Sequence, residues 1–274
     1  MFNVNITIEE IILVPCSELG GNNRREILKL REQVTNKFKK EGLKKIQEEE
    51  HYIWLDSPID GPNSLHSTFS KLTNTRSLRK FIEKKMYPNR GIVAIEFGGV
   101  GRSLFKGFSQ GFIEKSAAIT LFDHDLEGSK MPMPHQHLLI EDDLFNPSTY
   151  QSINTWLTGR KVDLILERMG RGLELVPPEP YTVSSILRNW YRLLSDNGLM
   201  IVQSPMKLNP LFSRWCSMIE RNYLDVFDFK YQIGHSDGNF EIGFSCFYLQ
   251  KKPGAPKELP VLTPKEIQNV LLVL

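Results

Sequence analysis

The chain has 274 residues, net charge +2, 41% hydrophobic and 24% charged residues, and a pI near 8.3, enough for one large α/β domain of roughly 180 residues plus an added segment. This excludes a disordered or fibrous chain and lacks the excess of a dedicated nucleic-acid binder, for which a pI above about 9 is usual, so a nucleic-acid partner is permitted but not indicated. Cys16, Cys216 and Cys246 form no CxxC pair and no apolar run reaches the ~18 residues of a membrane span, which predicts a soluble cytoplasmic protein with reduced thiols and no zinc knuckle.

Residues 3–14 alternate weakly, as a strand would. Residues 22–50 are highly charged with Ile27, Leu28, Leu30, Val34, Phe38, Leu43 and Ile46 at helical spacing, broken near Gly42. Their Lys and Arg residues read as a solvated face in preference to an RNA-binding surface. A linker rich in Pro and Gly at 51–62 precedes a helical stretch at 67–86, whose apolar stripe is Phe69, Leu72, Leu78, Phe81 and Ile82. This region is expected to be a lid or recognition extension, or a stabilising layer.

The most informative stretch follows. Residues 91–97 are rich in β-branched residues and carry no charge before Glu96, the pattern of a parallel strand buried on both faces. Gly98, Gly99 and Gly101 then permit a sharp turn and a close backbone approach. From Arg102 to Lys115 the positions Leu104, Phe105, Phe108, Phe112 and Ile113 predict a helix whose N-terminus faces out of the sheet, where free N–H groups favour polar or anionic ligand groups.

A second strand at 117–122 ends in Asp123 and Asp125. A carboxylate there can accept hydrogen bonds from both hydroxyls of a ribose, and Asp123, the first polar residue after the apolar run, is the better candidate. A third strand at 138–140 leads to Asp142, Asp143 and Leu144. His135 and His137, with His124 and Asp123, raise the question of a metal site, against which the alternation of strand side chains between faces argues. A helix at 150–158 precedes a fourth strand at 161–167. Ligands of open parallel sheets sit at the carboxyl ends of strands, so Glu167 and Arg168 are the catalytic candidates. Glu167 suits a base or a holder of a substrate amine, Arg168 a binder of an anionic group, and a mutual ion pair is the structural alternative for both.

Helices at 182–194 and 209–221 flank a fifth strand at 199–204. Strand-like runs at 227–233 and 240–249 surround a turn at 235–239. A Pro- and Gly-rich tail leads to a helix start at Thr263 with Pro264 at its first position.

Glu96-x-Gly-Gly-x-Gly resembles the first motif of the class I S-adenosylmethionine-dependent methyltransferases, departing from it at Val100 and Arg102, where glycines are usual. The order of the later segments is similar to that family over roughly residues 88–250. The resemblance implies an α/β fold: a seven-stranded Rossmann-like sheet with an antiparallel last strand, flanked by helices, with a mainly helical N-terminal extension. The implied organisation is 1–88 extension, 89–252 cofactor-binding domain and 253–274 tail. S-adenosyl-L-methionine is the implied cofactor, bound by Glu96, Gly98, Gly99, Gly101 and Asp123, with Asp143 (or Asp142) on the adenine amino group and the Leu144 N–H on a ring nitrogen. The implied activity is methyl transfer to an acceptor, a small molecule ahead of RNA or protein, with no metal and no membrane partner. Two alternatives accompany it: a catalytically silent module of the same fold that binds a partner through its N-terminal helices, and a nicotinamide-dependent oxidoreductase, which the C-terminal hairpin disfavours.

Overall fold

The computed structural model describes residues 58–61, 64–86, 90–120, 132–142, 144, 146–168, 180–204, 209–234 and 245–262. The strand expected at 3–14, the charged helices at 22–50 and the helix start at 263 lie outside them, as do Asp123, Asp125 and Asp143.

Seven strands form one sheet: β1 (Ile92–Phe97), β2 (Ile113–Thr120), β3 (Gln136–Glu141), β4 (Val162–Glu167), β5 (Leu194–Ser204), β6 (Phe227–Gln232) and β7 (Ser245–Lys251), in the order β3-β2-β1-β4-β5-β7-β6. Strands β1 to β5 pair in parallel, and β7 runs antiparallel to both β5 and β6. The seven-stranded sheet with an antiparallel last strand is thus present. β6 runs with the parallel set, and β7 alone is inverted.

Every residue of β1 and β4 is buried, which is why these segments lack polar alternation: helices cover both faces of the sheet. One face packs Val93, Ile95, Phe97, Ile165 and Val202 against α4 (Pro147–Leu157), α5 (Pro180–Leu193) and α6 (Asn209–Asn222). Phe97 and Trp190 stack there at 4.5 Å between ring centroids. The other face packs Ile92, Ala94, Leu164, Leu166 and Ile201 against α1 (Ser64–Thr73), α2 (Leu78–Met86) and α3 (Arg102–Lys106), through Phe69, Leu78, Ile82 and Phe105. Each of these large side chains contributes about 1.5–3 kcal/mol of apolar burial.

Two helices differ from expectation. The stretch at 67–86 is two helices, because Asn74 takes a left-handed φ of 52° and Ser77, bonded to Asp60 at 2.6 Å, starts the second by accepting from the Lys80 N–H. The helix after the glycine turn ends at Lys106 and does not reach Lys115. Gly107 caps it, Gly111 takes a φ of 77°, and Ile113 already belongs to β2. Phe108 and Phe112 stack on each other at 5.4 Å, so their spacing reflects a folded loop with the period of a helix.

The segments expected to divide near residues 88 and 252 share buried cores. Phe69 and Ile82 pack with the sheet, and on the C-terminal side Leu259 and Leu262 enter the opposite core. That tail is tied down by Tyr191, whose hydroxyl donates to the Pro256 carbonyl at 2.6 Å, and by the Trp215 Nε1–H, which donates to the Pro260 carbonyl at 2.9 Å.

Candidate functional site

From β1 the chain proceeds through β2 to β3 on one side and then returns to β4 on the other side of β1. The pair β1–β4 is therefore the topological switch point, and the crevice at its carboxyl end is where open α/β sheets receive ligands. Two segments meet there: the turn 98–101 that leaves β1, and Glu167-Arg168 at the end of β4, with Phe97 paired to Glu167.

The turn is held from β2, since the Gly98 N–H donates to the Ile119 carbonyl at 2.8 Å. Gly98 and Gly101 take φ values of 86° and 73°, a left-handed backbone that glycine adopts without steric cost. Gly99 is required for a different reason. A Cβ there would stand 2.6–2.7 Å from the carboxyl atoms of Glu96, so the acid lies directly against the turn. A Cβ on Gly101 would press on Ala118, Phe105 and His137 at 3.0–3.1 Å. The Val100 side chain is buried, with 1% exposure.

Glu96 and Arg168 form a buried ion pair, Arg168 Nε to Glu96 Oε1 at 2.5 Å, their side chains 1% and 7% exposed respectively. Strand alternation explains the pairing. Glu96 is in register with Leu166, so Arg168, two residues further on, returns to the same face. Glu167 falls on the opposite face and is completely buried. Arg168, whose structural alternative was a pair with its neighbour Glu167, forms an ion pair across the strands with Glu96. The fivefold donor fork of Arg168 suits a buried carboxylate, and loss of one partner from such a pair costs several kcal/mol.

Leu144 is 4% exposed and its side chain joins the core beside α4. Asp142, the alternative adenine ligand, receives hydrogen bonds from Asn146 Nδ2 at 3.2 Å and from the Ser148 hydroxyl at 3.0 Å. Asn146 in turn caps α4 by accepting from the Ser148 N–H. The Asp142 carboxylate is engaged in that cap.

Sequence reasoning missed one polar cluster. Ser116 Oγ lies 2.8 Å from His135 Nε2 and 2.7 Å from His137 Nδ1, and His137 Nε2 lies 3.0 Å from the carbonyl oxygen of Val100. The two histidines are two residues apart and point to the same side, which corrects the expectation that alternation separates them. Burial lowers the His135 pKa from its ordinary value. Among the described residues no group of three or more His, Cys, Asp or Glu side chains could hold a metal, and no helix is long and apolar enough to cross a membrane. The signal for the cluster was a serine directly before the apolar residues Ala117–Ile119 of β2, with histidines just before and at the start of β3; register Ser116↔His137 brings them together.

The turn presents glycines at three of four positions, and Glu167 lies beside the end of β1.

Neither a family model nor a curated protein matches the sequence. Solved structures do match. An rRNA methylase from Streptococcus thermophilus aligns at 10% identity over 63% of this chain and 95% of its own, TM-score 0.42. The N-methyltransferase NodS from Bradyrhizobium japonicum, in complex with S-adenosyl-L-homocysteine, aligns at 11% identity over 64% of this chain and 84% of its own, TM-score 0.37. A Listeria monocytogenes protein assigned to the class I S-adenosylmethionine-dependent methyltransferases aligns at 12% identity over 88% and 77%, TM-score 0.46. With overlaps scoring below one half, the acceptors and ligands of those proteins do not transfer to this chain.

Proposed function

We propose that this protein is an S-adenosylmethionine-dependent methyltransferase whose donor site is the turn 98–101 at the β1–β4 switch point, acting on a small-molecule acceptor. The observation that carries the reading is the pair of left-handed glycines, Gly98 and Gly101, at the crevice where the topology concentrates ligand binding. S-adenosylmethionine supplies a methyl group already activated by a positive sulfur. The work left to the chain is to bind, orient and exclude water, and alignment of donor and acceptor at about 3–3.5 Å is worth on the order of 7–11 kcal/mol in favourable cases.

In this reading Gly98, Gly99 and Gly101 allow the backbone to approach the donor, and Glu96 acts from beneath as a brace locked by Arg168. Asp123 receives the ribose hydroxyls, Asp143 the adenine amino group, and the Leu144 N–H a ring nitrogen. Glu167, assigned from sequence to hold an acceptor amine or take its proton, is fully buried at the end of β4, so that role requires the crevice to open onto it. Arg168, assigned from sequence to an anionic acceptor group, serves Glu96 first.

A second reading is a silent module of the same fold. The closed Glu96–Arg168 pair and the valine within the turn favour it. Calorimetric titration with S-adenosylmethionine, S-adenosyl-L-homocysteine and NAD separates the two. Micromolar binding of the first two and none of NAD supports the donor site, and Asp123→Ala then weakens binding. No binding of any of the three hands the lead to the silent module, and NAD binding alone restores the oxidoreductase.

A further inference from the structure

With both histidines neutral, the polar cluster behind the glycine turn has one consistent arrangement of hydrogens. The Val100 carbonyl can only accept, so His137 Nε2 carries the proton that reaches it at 3.0 Å. In the neutral ring Nδ1 is then an acceptor, and Ser116 donates to it at 2.7 Å. The Ser116 oxygen in turn accepts from His135 Nε2–H at 2.8 Å. All three bonds are satisfied in that order, with the direction running from His135 to the turn. Ser116 itself has 0% exposure within β2, so the Ser–His contact is no nucleophile and base pair: the hydroxyl cannot reach a substrate.

We propose that His137 is a positioning residue for the donor site: its Nε2–H fixes the Val100–Gly101 peptide, and Ser116 and His135 hold it in the tautomer able to do so. This rests on the donor-site reading of the turn. The peptide group is planar and trans, so a carbonyl fixed toward His137 directs the Gly101 N–H away from it. The other end of the turn is anchored by the Gly98 N–H on Ile119. Between those anchors lie the left-handed Gly98 and its neighbour Gly99, where glycine gives the backbone wide freedom; the imidazole restrains it. The ring is itself seated by packing, since a Cβ on Gly101 would approach its Cε1 to 3.1 Å and the Phe105 ring lies 6.2 Å away, centroid to centroid.

The test uses the full chain and S-adenosyl-L-homocysteine as probe, with the variants His137→Gln, His137→Asn and Ser116→Ala. A glutamine amide reaches the place of Nε2 and keeps the donor to Val100, whereas asparagine reaches only the place of Nδ1. The expected result is an affinity within about threefold of wild type for His137→Gln and a loss of about tenfold or more for His137→Asn, at similar melting temperatures. Nitrogen-15 spectra should show His137 as the neutral Nε2–H form in the wild type and a mixture of tautomers in Ser116→Ala. Binding that is equal in the Gln and Asn variants, or an Nδ1–H wild-type tautomer, overturns this proposal alone. No binding by the wild type overturns the donor-site reading and this proposal with it.

Discussion

The two ends of the β1–β4 pair each bury a carboxylate, and they use it in opposite ways. At the amino end, Asp163 accepts from the Val93 N–H at 3.0 Å and from the Ser195 hydroxyl at 2.8 Å, with Arg90 at 3.7 Å. One side chain thus ties β1, β4 and the start of β5 together. At the carboxyl end, Glu96 is packed against a turn with two left-handed glycines and is held by Arg168. The first carboxylate satisfies backbone that lies outside the ladder, which is a contribution to stability. The second supports a backbone conformation that the ladder does not specify. Buried charge in this sheet therefore reads as structural where it serves regular strands, and as a candidate for function where it serves an irregular turn.

The comparison breaks most visibly at Arg168. Replacing it by Met strands the Glu96 carboxylate in the core without its guanidinium, and a loss of about 3–5 kcal/mol is expected in urea unfolding. The double variant Glu96→Gln, Arg168→Met should recover most of it, because neither member of the pair is then left as an uncompensated charge. If the single variant is as stable as wild type, the pair is not what holds the turn. Asp163→Ala comes next. It leaves two donors without their acceptor, for which about 2–3 kcal/mol is expected, while affinity for S-adenosyl-L-homocysteine stays at the wild-type value. A parallel loss of affinity would mean that the two ends are not independent.

Gly98→Ala should cost less, about 1–2 kcal/mol, since a Cβ is forced onto a φ of 86°. Its effect falls on the turn, so the affinity loss should exceed that of Asp163→Ala even though the stability loss is smaller. Equal affinity losses in the two variants would remove the distinction between the ends.

The central strands β1 and β4 were legible because each is a short apolar run buried on both faces, and the C-terminal hairpin because two β-rich runs flank a turn. What escaped has a common cause. The Glu96–Arg168 pair joins residues 72 apart in sequence, and only the β1–β4 register brings them together. The cluster of Ser116, His135 and His137 depends on the β2–β3 register. Each residue looked ordinary within its own strand. The false helix at 102–115 came from Phe108, Phe112 and Ile113 at helical spacing, where Gly107 and Gly111 decide the outcome. The break at Asn74 is a choice of a left-handed backbone that asparagine tolerates and does not require.

The smallest expected effect concerns a cation at the amino end. Lys251 is 8% exposed and its Nζ donates to the carbonyls of Tyr191 and Leu194, each at 3.1 Å, with the Tyr191 ring 4.0 Å below it. Burial lowers its pKa from 10.5 to about 8. Between those values the native chain holds fewer protons than the unfolded one, so this group's contribution to stability rises with pH from about 8 to 10.5. The amine keeps hydrogens to donate after it loses its charge. The buried thiols act the other way: Cys246 is pushed from 9.0 to about 12, and its contribution, complete below pH 9, is lost as the pH climbs through 12. Total stability therefore mixes opposing slopes, and the informative quantity is the difference in unfolding free energy between wild type and Lys251→Met. That difference should move in favour of the wild type from pH 8 to pH 10, with affinity for S-adenosyl-L-homocysteine unchanged between the two proteins at either pH. A difference that stays flat would place the ammonium in a well-solvated setting, and the amino end would then contain one fewer buried charge than its counterpart across the sheet requires for the contrast to hold.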